Sequence, residues 1–199
     1  MTSFFFTPGS SVHFGGSRSL QPNSQLEFCV RKAQAAGCSI HVGCAAGADA
    51  QVIYAALAAV KADYLAETWL NVFAVGGNSG GWPYPRLSPP PWIIRAISCV
   101  RLWAGGCPSL PLRARLIRRS LAALAGCSCS VFFLSGPSSH GSLTVAAHAV
   151  KSGMPVFVFC PVQPDPLTSP SPAGSWQPAE LYGLSCWRWS PAAVQPKLF

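Results

Sequence analysis

Apolar residues recur along the chain in two rhythms: short dense runs, and longer runs spaced by three or four. The dense runs are "VHFG" at 12–15, "SIHVG" at 39–43, "LNVFAV" at 70–75, "CSVFFLS" at 129–135 and "PVFVFC" at 155–160. Runs rich in β-branched and aromatic residues, bounded by Gly, Ser and Pro, predict strands. A further strand is expected at 98–103. The spaced runs predict helices. Over 23–36, Leu26, Val30, Ala33 and Ala36 share one face, with Asn23 or Ser24 as N-cap and Gly37 as the stop. Further helices are expected at 48–61, 112–125 and 141–152, with a short one at 91–97. A Gly/Pro-rich stretch, "GGNSGGWPYPRLSPPP", occupies 76–91.

Strands that alternate with helices imply βαβ units and a mostly parallel α/β sheet covered on both faces. That domain is expected to span 1–160. Residues 161–199 differ, being rich in Pro and Ser and carrying Trp176, Trp187 and Trp189. They read as an irregular tail folded back on the core, with one short strand at 184–189.

Composition narrows this picture. The chain has 199 residues, half of them apolar and 10% charged, which suits one domain with a sizeable core and excludes a disordered chain. Fourteen Lys and Arg against six Asp and Glu give +8, and ten of the fourteen are Arg. Such a balance favours phosphate-bearing or polyanionic partners, and Arg suits bidentate phosphate contact. Nine Cys occur without a C-x-x-C pair, so no metal site is expected and the thiols read as reduced, mostly buried hydrophobes. The N-terminus lacks a basic n-region with a long apolar core, and no run approaches the ~18 apolar residues of a membrane span. A cytoplasmic location without membrane partners is the resulting expectation.

Three Gly-rich loops fall where strands of a parallel sheet end, the edge at which ligands bind. The first is Gly15-Gly16-Ser17-Arg18. The second runs from Gly43 through Gly47 to Asp49. The third is Ser135-Gly136-Pro137-Ser138-Ser139-His140-Gly141-Ser142, leading into a helix. Small residues admit a ligand to the backbone, and helix N-termini offer free N–H groups to an anion. Ser17, Ser138, Ser139, Ser142 and Thr144 add hydroxyls, and Arg18 adds a charge expected at the centre of the site. Asp49 falls in a first helical turn, where it stabilises the helix or accepts a hydrogen bond from a loop amide or a ligand hydroxyl. Neither G-x-G-x-x-G nor a P-loop lysine motif is present, so the classical dinucleotide and Walker readings lose support. A basic run, "LRARLIRRSLAALAG", places Arg115 with Arg118 or Arg119 on one helical face, after Arg113. Leu112, Leu116, Leu121 and Leu124 are expected to face the core. Arg118 and Arg119, further along the helix, are expected to meet outlying phosphates, and Arg18 and Arg119 are expected to be dispensable for folding.

Together, "FGGSRSL" at 14–20, "VGCAAGADAQVIYAAL" at 42–57, "FAVGGNSGGWPYP" at 73–85 and the segment 111–159 resemble, in the same order, the DNA-processing protein A family. These are bacterial recombination mediators with a Rossmann-like domain of the SLOG superfamily. The resemblance covers about 12–160. It implies a Rossmann-like three-layer fold and one pocket lined by Gly16, Ser17, Arg18, the Gly43–Asp49 loop, Arg113, Arg115 and the Gly141–Ser142 turn, accepting single-stranded DNA phosphates. It also implies homodimerisation and contact with a recombinase. The chain departs from the pattern in its Pro-rich tail and in showing no winged-helix segment. A sister branch, the phosphoribohydrolases, carries P-G-G-x-G-T-x-x-E, and here no carboxylate follows Gly141-Ser142. With Asp49 the one acid near the site, paired-carboxylate chemistry is poorly supplied. The sequence therefore reads as a non-catalytic binder of single-stranded DNA or a nucleotide phosphate, without a cofactor. The alternatives are a small-nucleotide sensor and a nucleotide N-glycosidase.

Overall fold

The computed structural model describes residues 3–58, 69–75, 100–103, 105, 107 and 109–192. The short helix expected at 91–97 and the stretch 76–91 lie outside these residues. In chain order the elements are β1 (Ser3–Phe4), β2 (Ser11–Gly16), α1 (Ser24–Ala35), β3 (Ser39–Val42), α2 (Ala48–Ala58), β4 (Leu70–Ala74), β5 (Val100–Trp103), α3 (Leu112–Leu124), β6 (Cys129–Phe133), α4 (His140–Lys151), β7 (Val156–Phe159), β8 (Gly174–Leu181) and β9 (Leu184–Pro191).

One sheet holds all nine of these strands in the order β1-β8-β9-β7-β6-β2-β3-β4-β5. From β7 to β5 every neighbouring pair is parallel. The chain lays β3, β4 and β5 outward on one side of β2, then returns to place β6 on the other. Loops leaving β2 and β6 therefore diverge to opposite faces and open a crevice between them.

Local chemistry accounts for the elements. Asn23 caps α1, its Oδ1 accepting from the Leu26 amide at 2.9 Å, and Gly37 follows the helix at φ +67°. The two faces of the sheet bury different sets. Val12, Phe14, Ile40, Val42, Val131 and Phe133 meet Leu26, Val30, Val52 and Ile53 from α1 and α2. Phe132, Val156 and Val158 meet Leu143, Ala146 and Val150 from α4, with Leu124 from α3. The expected three-layer α/β arrangement is what the chain adopts. No helix among the described residues is long and apolar enough to cross a membrane.

The C-terminal segment corrects the expectation of an irregular tail. β8 and β9 form an antiparallel hairpin that extends the main sheet through β9 on β7 and carries β1 on its far side. Tyr182 and Gly183 turn the hairpin with φ of 54° and 77°, the two positive values a type I′ turn requires. Trp176 and Trp189 meet edge to face at 5.1 Å on the α4 side, both buried. Pro178 within β8 is what disguises this strand, since Pro argues against a ladder position.

Candidate functional site

At the carboxyl ends of β2 and β6 lies a cavity of about 850 Å³. Residues from all three Gly-rich loops line it, among them Gly15, Gly16, Ser17, Arg18, Ala45, Asp49, Ser139, His140, Gly141 and Ser142. α3 supplies the facing wall through Leu112, Arg113, Leu116, Ile117, Arg119 and Ser120. Leu112 borders the cavity and is exposed, where the sequence placed it toward the core, whereas Leu116 borders the cavity and also packs against the core as expected. Gly43, Gly47, Arg115, Arg118, Gly136, Ser138 and Thr144 stand outside the lining.

The second loop owes its small residues to the protein's own packing. A β-carbon at Gly43 would collide with the Arg119 guanidinium and the Asp49 carboxylate. One at Gly47, at φ +72°, would collide with the Ser17 and Arg18 carbonyls. The small residues at these two positions let an arginine and the first loop lie against the second loop.

That arginine is a correction. Arg119 was expected at the exposed periphery. Instead it is 4% exposed, and its Nη1 donates to Asp49 Oδ2 at 2.7 Å. Burial, the largest influence, pulls its pKa down, but the Asp49 charge, Cys44 and the hydrogen bond to Asp49 together outweigh this and the net shift is upward. The same Oδ2 accepts from the Ala45 amide at 3.0 Å. Arg115, one turn earlier, is also buried at 4%. The sheet-facing stripe of α3 therefore runs Arg115, Arg119, Ala123. Arg18, Arg113 and Arg118 are exposed, and none has an ion-pair partner among the described residues.

Several hydroxyls expected to face a ligand are engaged within the protein. The Ser135 amide donates to Ser17 Oγ at 3.0 Å, and Ser139 Oγ donates to the Gly136 carbonyl at 3.2 Å. The 2.6 Å contact between Ser17 Oγ and Ser139 Oγ then takes its proton from Ser17. This chain of hydroxyls ties the first loop to the third. Thr144 Oγ1 donates to the His140 carbonyl inside α4. Because Ser139 is occupied in this way, α4 begins without a side-chain cap. Its first turn, with Gly141 and Ser142, faces the cavity. Uncapped amides, the positive end of the helix dipole and Arg18 and Arg113 at the rim together favour an anion there.

Sequence reasoning missed His13, which is 2% exposed and lines the cavity floor beside Phe132, their ring centroids 5.4 Å apart. The signal was available in "VHFG": strand alternation puts Val12 and Phe14 on one face and His13 and Gly15 on the other. Burial, then the nearby Arg119 and His41, push its pKa down to about 3. No group of three or more His, Cys, Asp or Glu suited to a metal occurs among the described residues.

No protein-family model and no curated protein sequence matches the chain. Among solved structures, the fold matches DNA processing protein A from Helicobacter pylori, described as binding single-stranded DNA in a unique mode, with a TM-score of 0.53 at 17% identity. The match covers 76% of this chain, which spans about 65% of that protein's length. This likeness places the fold of the chain with that of DNA processing protein A.

Proposed function

We propose that the chain binds single-stranded DNA or a nucleotide through phosphate and does no covalent chemistry on it. The observation that carries this reading is the uncapped start of α4 opening into a cavity rimmed by Arg18 and Arg113. The fold of a single-stranded DNA-binding protein supports it. Asp49 is the one carboxylate among the described residues of the lining, and its Oδ2 already receives Arg119 and the Ala45 amide. No second carboxylate stands with it among the described residues of the lining, which argues against the paired-carboxylate chemistry of the N-glycosidase alternative.

A second reading rests on size. About 850 Å³ falls in the range of small-ligand sites and accommodates one nucleotide. A small-nucleotide sensor would use the same anion site. Fluorescence anisotropy with labelled single strands, competed by mononucleotides, separates the two. Competition only by long strands supports DNA binding, and tight binding of a mononucleotide alone supports the sensor. Release of free base from a nucleoside monophosphate in proportion to protein, abolished by Asp49→Asn, would overturn the non-catalytic reading.

A further inference from the structure

His13 Nδ1 lies 2.7 Å from Ser130 Oγ, and Ser130 is fully buried. The Ser130 hydroxyl has no other partner among the described residues. If Nδ1 carried the proton, the hydroxyl proton would be left unpaired in the interior, at the cost of a buried unsatisfied donor. The arrangement that satisfies both groups has Ser130 donating to Nδ1, which leaves the imidazole neutral with its proton on Nε2. That Nε2 has no hydrogen-bond partner among the described residues. Its edge of the ring lies beneath Gly15, where a β-carbon would stand 3.0 Å from Cε1 and 3.5 Å from Nε2. Gly15 therefore leaves that edge uncovered on the cavity side, and His13 and Gly15 both line the cavity.

We propose that the cavity takes a nucleotide base-first, with the neutral Nε2–H of His13 donating to a ring nitrogen or carbonyl of the heterocycle and the phosphate at the start of α4. This rests on the phosphate reading above and adds the class of group that enters the floor. A buried, uncharged donor flanked by Phe132, with Leu116 and Ile117 across the cavity, suits a flat heterocycle with an acceptor edge. It does not suit a second phosphate, which calls for charge. A bare phosphate or a sugar phosphate reaches the rim and leaves His13 without a partner.

The test uses the full chain labelled with ¹⁵N-histidine. The free protein should show His13 with a protonated Nε2 and an unprotonated Nδ1. A nucleoside monophosphate should shift the Nε2 resonance, and ribose 5-phosphate should bind without moving it. The double variant His13→Phe with Ser130→Ala removes both polar partners and retains a flat ring. It should lose about fivefold in nucleoside monophosphate affinity, the effect of one neutral hydrogen bond, with ribose 5-phosphate unchanged. Both ligands binding equally with His13 silent, or a protonated Nδ1 in the free protein, overturns this inference and leaves the phosphate reading standing. Binding of neither ligand overturns this inference, and the phosphate reading falls with it only when labelled single strands also fail to bind.

Discussion

Arg119 and Asp49 meet at 2.7 Å with side chains only 5% and 6% exposed, joining α3 to the first turn of α2. Seventy positions separate the two residues in sequence. Removing either partner leaves a buried charge uncompensated, at a cost of about 3–5 kcal/mol. Asp49→Ala and Arg119→Ala should each lower the free energy of unfolding by about that amount, and the double variant should lose much less than their sum. Urea denaturation of the four proteins in the cycle measures this. Additive losses would mean that the pair is not coupled.

Gly43 depends on the same pair. Its missing β-carbon leaves the space taken by the Arg119 guanidinium. Gly43→Ala should therefore cost about 1–3 kcal/mol by overpacking. In the Arg119→Ala background the same change should cost clearly less, because the guanidinium is gone and only the Asp49 carboxylate still stands in its way. Equal costs in both backgrounds would place the constraint in the Gly43 backbone instead.

These two residues also mark where the sequence stops being legible. The βα alternation, the α1 cap at Asn23 and the convergence of three Gly-rich loops follow from local pattern, because period, capping chemistry and strand ends are local properties. The role of Gly43 is not local, since nothing within the loop names Arg119 as its neighbour. Arg119 misleads for a related reason. A helix stripe is read by polarity, and a buried ion pair inverts that signal. Pro178 hides β8 in the same way, by breaking a rule that holds for most ladders. His13 was within reach of strand alternation, but its Ser130 partner stands beside it on the neighbouring strand β6, 117 positions away in sequence.

His13 also makes stability depend on acidity. Its pKa is about 3 in the folded protein and near 6.5 when unfolded, so below 6.5 the unfolded chain binds the extra proton. Stability should be full above that value and fall as pH drops toward 3, by on the order of 4 kcal/mol at the limit. His41, also lowered by burial, acts in the same direction. Urea midpoints between pH 7.5 and 4 should decline in wild-type and decline less steeply in the His13→Phe, Ser130→Ala double variant. Identical slopes would remove His13 as the cause.

The exposed arginines divide by position, and binding should divide with them. Arg18 follows β2 and lines the cavity, whereas Arg118 is exposed on α3 outside the lining. A ligand seated at the start of α4 meets Arg18 whatever its length. Only a strand that continues past the rim reaches Arg118. Both side chains are solvated in the free protein, so each contact is worth about 1 kcal/mol or less. Arg18→Ala should therefore weaken a mononucleotide and a long single strand alike, by about fivefold at most for 1 kcal/mol. Arg118→Ala should spare the mononucleotide and weaken the long strand. If Arg118 neutralises one phosphate, the log–log salt slope for that strand should become shallower by about 0.7. Titrations of both ligands at two salt concentrations against each variant give all of these quantities. Arg18→Ala without effect on the mononucleotide would move the anion away from α4. A mononucleotide loss in Arg118→Ala equal to that in Arg18→Ala would show the charge acting as a diffuse field, with no seat for the phosphate in the cavity.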